Sequence, residues 1–327
     1  MNTTPPSPLD SSPSAPGARH PEHARALVLG GGGSAGNAWL IGVIAGLFEA
    51  GLDVTDADLI IGTSAGATAA AQITGAAPPE LLADILSAVP PQRTGAAAAG
   101  AAAPGGSAAG GARTPAASMS DHLKRFQRII ADAEDAADMR RTMGAMALEA
   151  DAASDGSGQE RWRSIVASRF PSRNWPMRDV LLTAVDAQTG EPVVFDRHSG
   201  VDLVDAVAAS TSGGGSAYGI AGRGYIDGGY RRSSENADLA AGYGRVLVLS
   251  PLSGRSLYPP EWGMQLSVQV EELRAGGSRV ETVLPDADSL AAFGGNLMDP
   301  STRMPAARAG SEQGRALAER LTAFWRG

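Results

Sequence analysis

From residue 26 onward the chain alternates short, continuous apolar runs with longer stretches in which apolar residues recur three and four positions apart. The short runs are "ALVL" (26–29), "DLIIG" (58–62), "VLLTAVDA" (180–187), "PVVFD" (192–196), the brief "GYIDGG" (224–229), "RVLVLSP" (245–251) and "RVETVLP" (279–285). Apolar runs of this length bounded by glycine or proline are strand signals. Between them the helical period predicts helices from about Asn37 to Ala50, after Ser64, over 201–210, from Pro260 to Ala275 and from Pro305 to Trp325. The last carries Leu317, Leu321 and Phe324 at i, i+4, i+7, which buries one face. Strand, loop, helix and strand in succession predict an α/β fold with a parallel sheet.

Two segments break the pattern. Residues 1–24, rich in Pro and Ser, have neither a basic start nor an apolar core. They are expected to be a disordered leader without a secretory signal, which gives a cytoplasmic reading. Residues 94–118 are Ala/Gly-rich and low in complexity, so a loop is predicted. Residues 119–160 read as a helical insertion, with Leu123, Phe126, Ile129 and Ile130 on one face. A solvated insertion is the favoured expectation, and a lid over a site the other. The remainder, 25–327, is read as one domain. The longest apolar run, 38–48, is far short of the roughly 20 residues of a bilayer-spanning helix and predicts a buried one.

Composition narrows the chemistry. With 327 residues and no cysteine, the chain excludes disulfides, a thiolate nucleophile and Cys-ligated zinc. Four histidines make a His-rich metal site a poor reading, and a net charge of −8 opposes nucleic-acid binding, which needs clustered Lys and Arg.

What remains is a serine in a cramped corner. "GTSAG", Gly62 to Gly66, has the G-x-S-x-G form of a nucleophile elbow, in which flanking glycines let backbones pass where the serine turns sharply from strand to helix. The same letters also describe a tight turn capped by Ser64. A histidine base would have to be His198 with Asp179 or Asp186 as its acid, because His20, His23 and His122 lie in the leader or the insertion. Asp227, at the end of "GYID" and before Gly228 and Gly229, is the alternative base, provided it stands partly desolvated against the serine. An Asp-Gly turn is its bland counterpart. Gly30 to Gly33 after the first strand present N–H groups to an anion, either a nucleotide phosphate or an oxyanion. The second strand ends in Gly62-Thr63-Ser64 without the acidic residue a dinucleotide site uses, and no Gly-Lys-Ser/Thr follows the glycines, which favours the oxyanion. Trp39, Leu40 and Tyr230 are candidates for an acyl channel, though positions of this kind are more often core.

Taken together, Gly31-Gly32-Gly33 with Gly36, then Gly62-Thr63-Ser64-Ala65-Gly66, then Asp227-Gly228-Gly229 resemble the motifs of the patatin-like phospholipases. The resemblance runs from about Ala26 to the C-terminus. It implies a three-layer α/β/α fold with a mainly parallel central sheet, here interrupted by the helical and Ala/Gly-rich insertion. It also implies Ser64 as nucleophile, Asp227 as its base, and the N–H groups of Gly31, Gly32 and Gly33 as the oxyanion hole. The activity implied is lipid acyl-ester hydrolysis through an acyl-serine, without metal or organic cofactor, with transient membrane-surface contact and no nucleic acid. A non-catalytic lipid-binding or scaffolding protein of the same fold is the alternative. Ala35 stands where the family often carries Arg or Lys, and Gly213-Gly214-Gly215 where it usually has a proline, which predicts a looser wall beside the serine.

Overall fold

The computed structural model describes residues 23–88, 119–213 and 215–327, with side chains from residue 124 in the second segment. The expectations for residues 1–22 of the leader, for the 94–118 loop and for Gly214 therefore fall outside the described residues, while Ala24, at the leader's end, is buried and accepts the Arg245 N–H. In chain order the first half runs β1 (Arg25–Leu29), α1 (Gly33–Glu49), β2 (Leu59–Gly62), α2 (Ala65–Ile73), α3 (Pro78–Ser87), α4 (Met119–Asp132), α5 (Ala136–Ala152), α6 (Ser157–Ala167), β3 (Asp179–Asp186) and β4 (Pro192–Phe195). The second half runs α7 (Leu203–Ser210), β5 (Tyr218–Ile220), β6 (Arg223–Asp227), β7 (Arg245–Leu249), α8 (Leu266–Ala275), β8 (Arg279–Val283), α9 (Ala287–Phe293) and α10 (Arg303–Arg326).

The strands form one sheet in the order β5-β6-β3-β2-β1-β7-β8, with β4 also paired to β3. From β3 to β8 the neighbours are parallel, while β4, β5 and β6 are antiparallel to theirs. The chain leaves β1 towards β2 on one side and later returns to place β7 on the other. This is the topological switch point where open α/β sheets bind ligands at the carboxyl ends of their strands.

Parallel strands are covered on both faces, so alternate residues enter different cores. Leu27, Leu29, Ile60 and Leu247 pack with α1, α2, α3, α7 and α10. Ala26, Val28, Ile61 and Val248 pack instead with α8 and the short 3-10 turn Ala237–Ala240. The result is the mixed, mainly parallel three-layer arrangement expected from the motifs. Small residues let α1 and α10 meet: a Cβ added to Gly42 or Gly46 would stand 2.2 or 2.1 Å from a carbonyl oxygen of α10. Among the described residues no helix is long and apolar enough to cross a membrane.

Several elements differ from the sequence reading. Helix α1 begins at Gly33, four residues before the expected start, because its first turn is made of the small residues that the apolar period does not register. The helix expected over 260–275 is two pieces, a 3-10 turn at Pro260–Trp262 and α8, parted at Gly263 with its left-handed φ of 62°. Helices α3, α6 and α9 and strand β5 were not predicted. The insertion's α4 is not simply solvated. Ile129 and Ile130 are buried against Met139 and Met264, and Phe126 packs on Tyr230 and Tyr258 at centroid distances of 5.5 and 6.0 Å. Apart from Met139, the partners for that apolar face, Tyr230, Tyr258 and Met264, lie more than a hundred residues away in sequence, beyond the reach of a local pattern.

Candidate active site

Strand register sets the geometry. Gly62 of β2 pairs with Leu182 of β3, and Ala184, two residues farther along β3, pairs with Asp227 of β6. Ser64 follows Gly62 by two residues, so serine and aspartate reach the same level of the sheet edge from strands on either side of β3. There the Ser64 hydroxyl donates to Asp227 Oδ2 at 2.8 Å.

Ser64 takes φ 53° and ψ −113°, a conformation that costs a non-glycine residue about 1–3 kcal/mol. Its surroundings hold it there. The Ser64 N–H donates to Ser210 Oγ at 3.0 Å, the Thr63 N–H to the Leu29 carbonyl at 3.1 Å, and the Gly66 N–H to the Thr63 carbonyl at 2.8 Å. Behind the corner, the Thr63 and Thr183 hydroxyls meet at 2.9 Å, and Asn236 Nδ2 donates to Thr63 Oγ1 and to the Gly228 carbonyl, each at 2.9 Å. One side-chain amide thus ties the segment before the serine to the segment after the aspartate. Glycine is required where these backbones cross. A Cβ on Gly66 would stand 1.9 Å from the Leu29 carbonyl oxygen, and one on Gly228 2.2 Å from that of Thr183.

Asp227 is no solvated carboxylate. Burial pushes its pKa up to about 6, while the Gly229 N–H, donating to Oδ1 at 2.8 Å, and the Ser64 hydroxyl pull the other way. A carboxylate tuned to that range is ionised near neutral pH and still basic enough to take a proton. Gly213, the first residue of the glycine run, lies directly on this carboxylate, since a Cβ there would be 3.1 Å from Asp227 Oδ2. The run was expected only to loosen a wall, and at Gly213 it makes room for the carboxyl group.

The glycine loop lies beside the serine. A Cβ on Gly31 would be 3.5 Å from Ser64 Cβ. The Gly31 N–H, however, donates to the Ser234 carbonyl at 2.7 Å, so the expectation of three free donors is corrected to two. Among the described residues the N–H groups of Gly32 and Gly33 have no partner. Gly33 is already the first residue of α1, so its N–H belongs to the unsatisfied set at a helix N-terminus. Gly36, Gly62 and Gly229 complete the motif positions: Gly36 packs under Pro251, Gly62 against Ala67, and Gly229 supplies the N–H to Asp227.

Ser64, Asp227, Gly31 and Gly32 open into a cavity of about 280 Å³, whose wall includes Phe126, Tyr230, Leu252, Leu257, Tyr258 and Leu266. Burial raises the phenol pKa values of Tyr230 and Tyr258, which stay neutral, and the Tyr258 hydroxyl donates to the Gly229 carbonyl at 3.1 Å. Of the apolar candidates from sequence, Tyr230 lies in this wall. Trp39 and Leu40 are core residues, and the Trp39 indole N–H donates to Gln313 and Ser289. Arg255 is the positively charged residue in the wall.

The histidine alternative fails on placement. His198 is exposed in a turn, its N–H on Asp196 and its ring accepting from Arg197. Asp179 pairs with Arg197, and Asp186 caps the Gln188–Thr189 turn and pairs with Arg223. Among the described residues no group of three or more His, Asp or Glu side chains gathers to hold a metal.

The family model for patatin-like phospholipases matches residues 27–241, the stretch that carries all three motifs. The chain belongs to that family. At this level it is a patatin-like lipid acyl hydrolase, with lipids as its substrate class. No curated protein matches the chain. Among solved structures, that of VipD from Legionella pneumophila is similar at 11% identity and a TM-score of 0.41, over 92% of this chain and 67% of VipD. Sequence reading had no signal for Ser210, Thr183, Asn236 or Ser234, whose roles in this patatin-like corner depend on contacts distant along the chain.

Proposed function

We propose that this patatin-like chain hydrolyses carboxylic esters of lipids with Ser64 as nucleophile and Asp227 as its base. As Ser64 Oγ attacks the acyl carbon, its proton passes to Asp227 Oδ2 and the carbonyl oxygen becomes an oxyanion facing the N–H groups of Gly32 and Gly33. Collapse breaks the ester C–O bond, and the leaving alcohol takes the proton from Asp227. Water then attacks the acyl-Ser64 ester, again giving a proton to Asp227, and the fatty acid departs as Ser64 recovers its hydrogen. No metal or organic cofactor enters these steps. The apolar wall from Phe126 to Leu266 suits an acyl chain.

The observation that carries this reading is the 2.8 Å hydrogen bond from Ser64 to a partly buried carboxyl group whose pKa is raised to about 6. Its test is hydrolysis of short- and long-chain p-nitrophenyl esters by the wild type, Ser64→Ala and Asp227→Asn, with folding checked by circular dichroism. Turnover by the wild type and its loss by at least ~10³-fold in both folded variants is expected. An inert wild type would leave the lipid-binding alternative in its place.

A further inference from the structure

Glu235 lines the same cavity, is 1% exposed, and has no Lys, Arg or His paired with it among the described residues. A buried carboxylate without a cation is costly unless hydrogen bonds carry its charge. Here three hydroxyls do so. Ser233 donates to Oε2 at 2.9 Å, and Ser234 and Ser250 donate to Oε1 at 2.8 and 2.7 Å. An ionised carboxylate only accepts, so each hydroxyl must turn its single proton inward and offer its lone pairs to others. Two of them use those lone pairs on backbone. Ser233 Oγ accepts the N–H groups of Glu235 and Asn236, and Ser250 Oγ accepts that of Gly254.

Each backbone fixed in this way touches the glycine loop. The Ser234 carbonyl holds the Gly31 N–H at 2.7 Å. On the other flank, Pro251 lies in the segment between Ser250 and Gly254 and crowds Gly32 and Gly36, where an added Cβ would approach its ring to 2.6 and 2.9 Å. Glu235 itself reaches under the loop's start, its Cγ 3.3 Å from where a Gly30 Cβ would be. One carboxylate therefore joins the two segments between which Gly30 to Gly36 is clamped.

We infer that Glu235 is a positioning residue for the oxyanion donors: by orienting the three serine hydroxyls it clamps the glycine loop, withdrawing the Gly31 N–H and leaving that of Gly32 directed at the substrate carbonyl. The inference rests on the proposed ester hydrolysis. It concerns donor geometry only, so its mark is a loss in turnover without a loss in substrate binding. Glu235→Gln replaces an acceptor with a donor and forces at least one serine to turn its proton away. Ser250→Ala, a smaller change, removes one of the three donors to Glu235 together with the link to Gly254, leaves Ser233 and Ser234 in place, and guards against failure of the first variant to fold.

The experiment compares wild type, Glu235→Gln, Glu235→Asp and Ser250→Ala in kcat and KM on a p-nitrophenyl ester. Inhibition by a long-chain trifluoromethyl ketone, whose adduct with Ser64 carries the oxyanion, is measured alongside. Expected are a kcat about 100-fold lower in Glu235→Gln, as for loss of an oxyanion donor, and smaller losses in the other two. KM should stay within about twofold, and inhibitor affinity should weaken in step with kcat/KM. A folded Glu235→Gln with wild-type kcat, or one whose KM rises while inhibitor affinity is unchanged, overturns the inference and leaves the proposed hydrolysis standing. A wild type without Ser64-dependent turnover overturns both.

Discussion

The floor of the cavity and its wall are built on different principles. The floor, from Thr63 to Gly66 and from Asp227 to Gly229, is held by backbone passing backbone at distances that leave no room for a Cβ at Gly66 or Gly228. The wall, drawn from α4 and from the segment after β7, is held by side chains, with Phe126 against Tyr230 and Tyr258 and the latter stacked on Trp262. Close backbone approach is unforgiving and aims reacting atoms; side-chain packing tolerates exchange and shapes what enters. Chemistry is therefore expected to reside in the floor and substrate preference in the wall.

The sharpest way to break that contrast is Gly66→Ala. Its methyl group would lie 1.9 Å from the Leu29 carbonyl oxygen, so β1 and α2 must part and Ser64 must move with them. A destabilisation on the order of 3 kcal/mol or more, with loss of activity, is expected from denaturant unfolding and ester assays. Phe126→Ala is the matched change in the wall and should leave hydrolysis of a short ester intact. A Gly66→Ala protein as stable and active as the wild type would mean that the floor is as pliable as the wall.

This division also explains what could be read in advance. Ser64 and Asp227 were legible because a cramped backbone must be written in glycines, and Gly62, Gly66, Gly228 and Gly229 surround them at short spacing. The parallel sheet was legible for a similar reason, since strands buried on both faces are continuous apolar runs. Ser210 and Asn236 were not. A serine at the end of "AVAAS" resembles any helix end, and Asn236 acts through a left-handed backbone (φ 53°) that aims its amide at Thr63, 173 positions away. The wall was misread for want of partners: the face of α4 is only half a contact until Tyr230 and Tyr258 are in place. The third free donor of the glycine loop was miscounted because the Ser234 carbonyl that takes the Gly31 N–H gives no local signal.

A second, smaller effect tests whether the floor trades stability for reactivity. Asp227 must be ionised to act as base, so the rate should fall about tenfold per pH unit below about pH 6 and level off above it. The stability effect has the opposite sense. With its folded pKa raised from 3.8 to about 6, the carboxyl group holds its proton more tightly in the folded chain than in the unfolded one. Its contribution is therefore full below about pH 4 and is lost as pH rises through about 6. Asparagine is neutral throughout. Asp227→Asn should thus exceed the wild type in stability at pH 8 by up to about 3 kcal/mol, with the gap closing towards pH 4, while its activity is gone at both. Thermal unfolding across that range reads it, and a variant less stable than wild type at pH 8 would show that the ionised carboxylate is not strained.

The smallest effect belongs to the wall. Arg255 is exposed, its side chain makes no ion pair among the described residues, and it is the cavity's cation, two residues from the exposed Leu257. A solvated guanidinium gains little from one anion, on the order of 1 kcal/mol or less, which is about fivefold in binding. Arg255→Ala should accordingly raise KM up to about fivefold for a lysophospholipid, whose phosphate can reach the rim, with kcat unchanged. The difference should shrink as salt screens the pair. Hydrolysis of p-nitrophenyl butyrate, which has no anionic headgroup, should not change. Equal effects on both substrates would place Arg255 with the floor, as part of the machinery; an effect on the lysophospholipid alone would keep selection in the wall and the reaction beneath it.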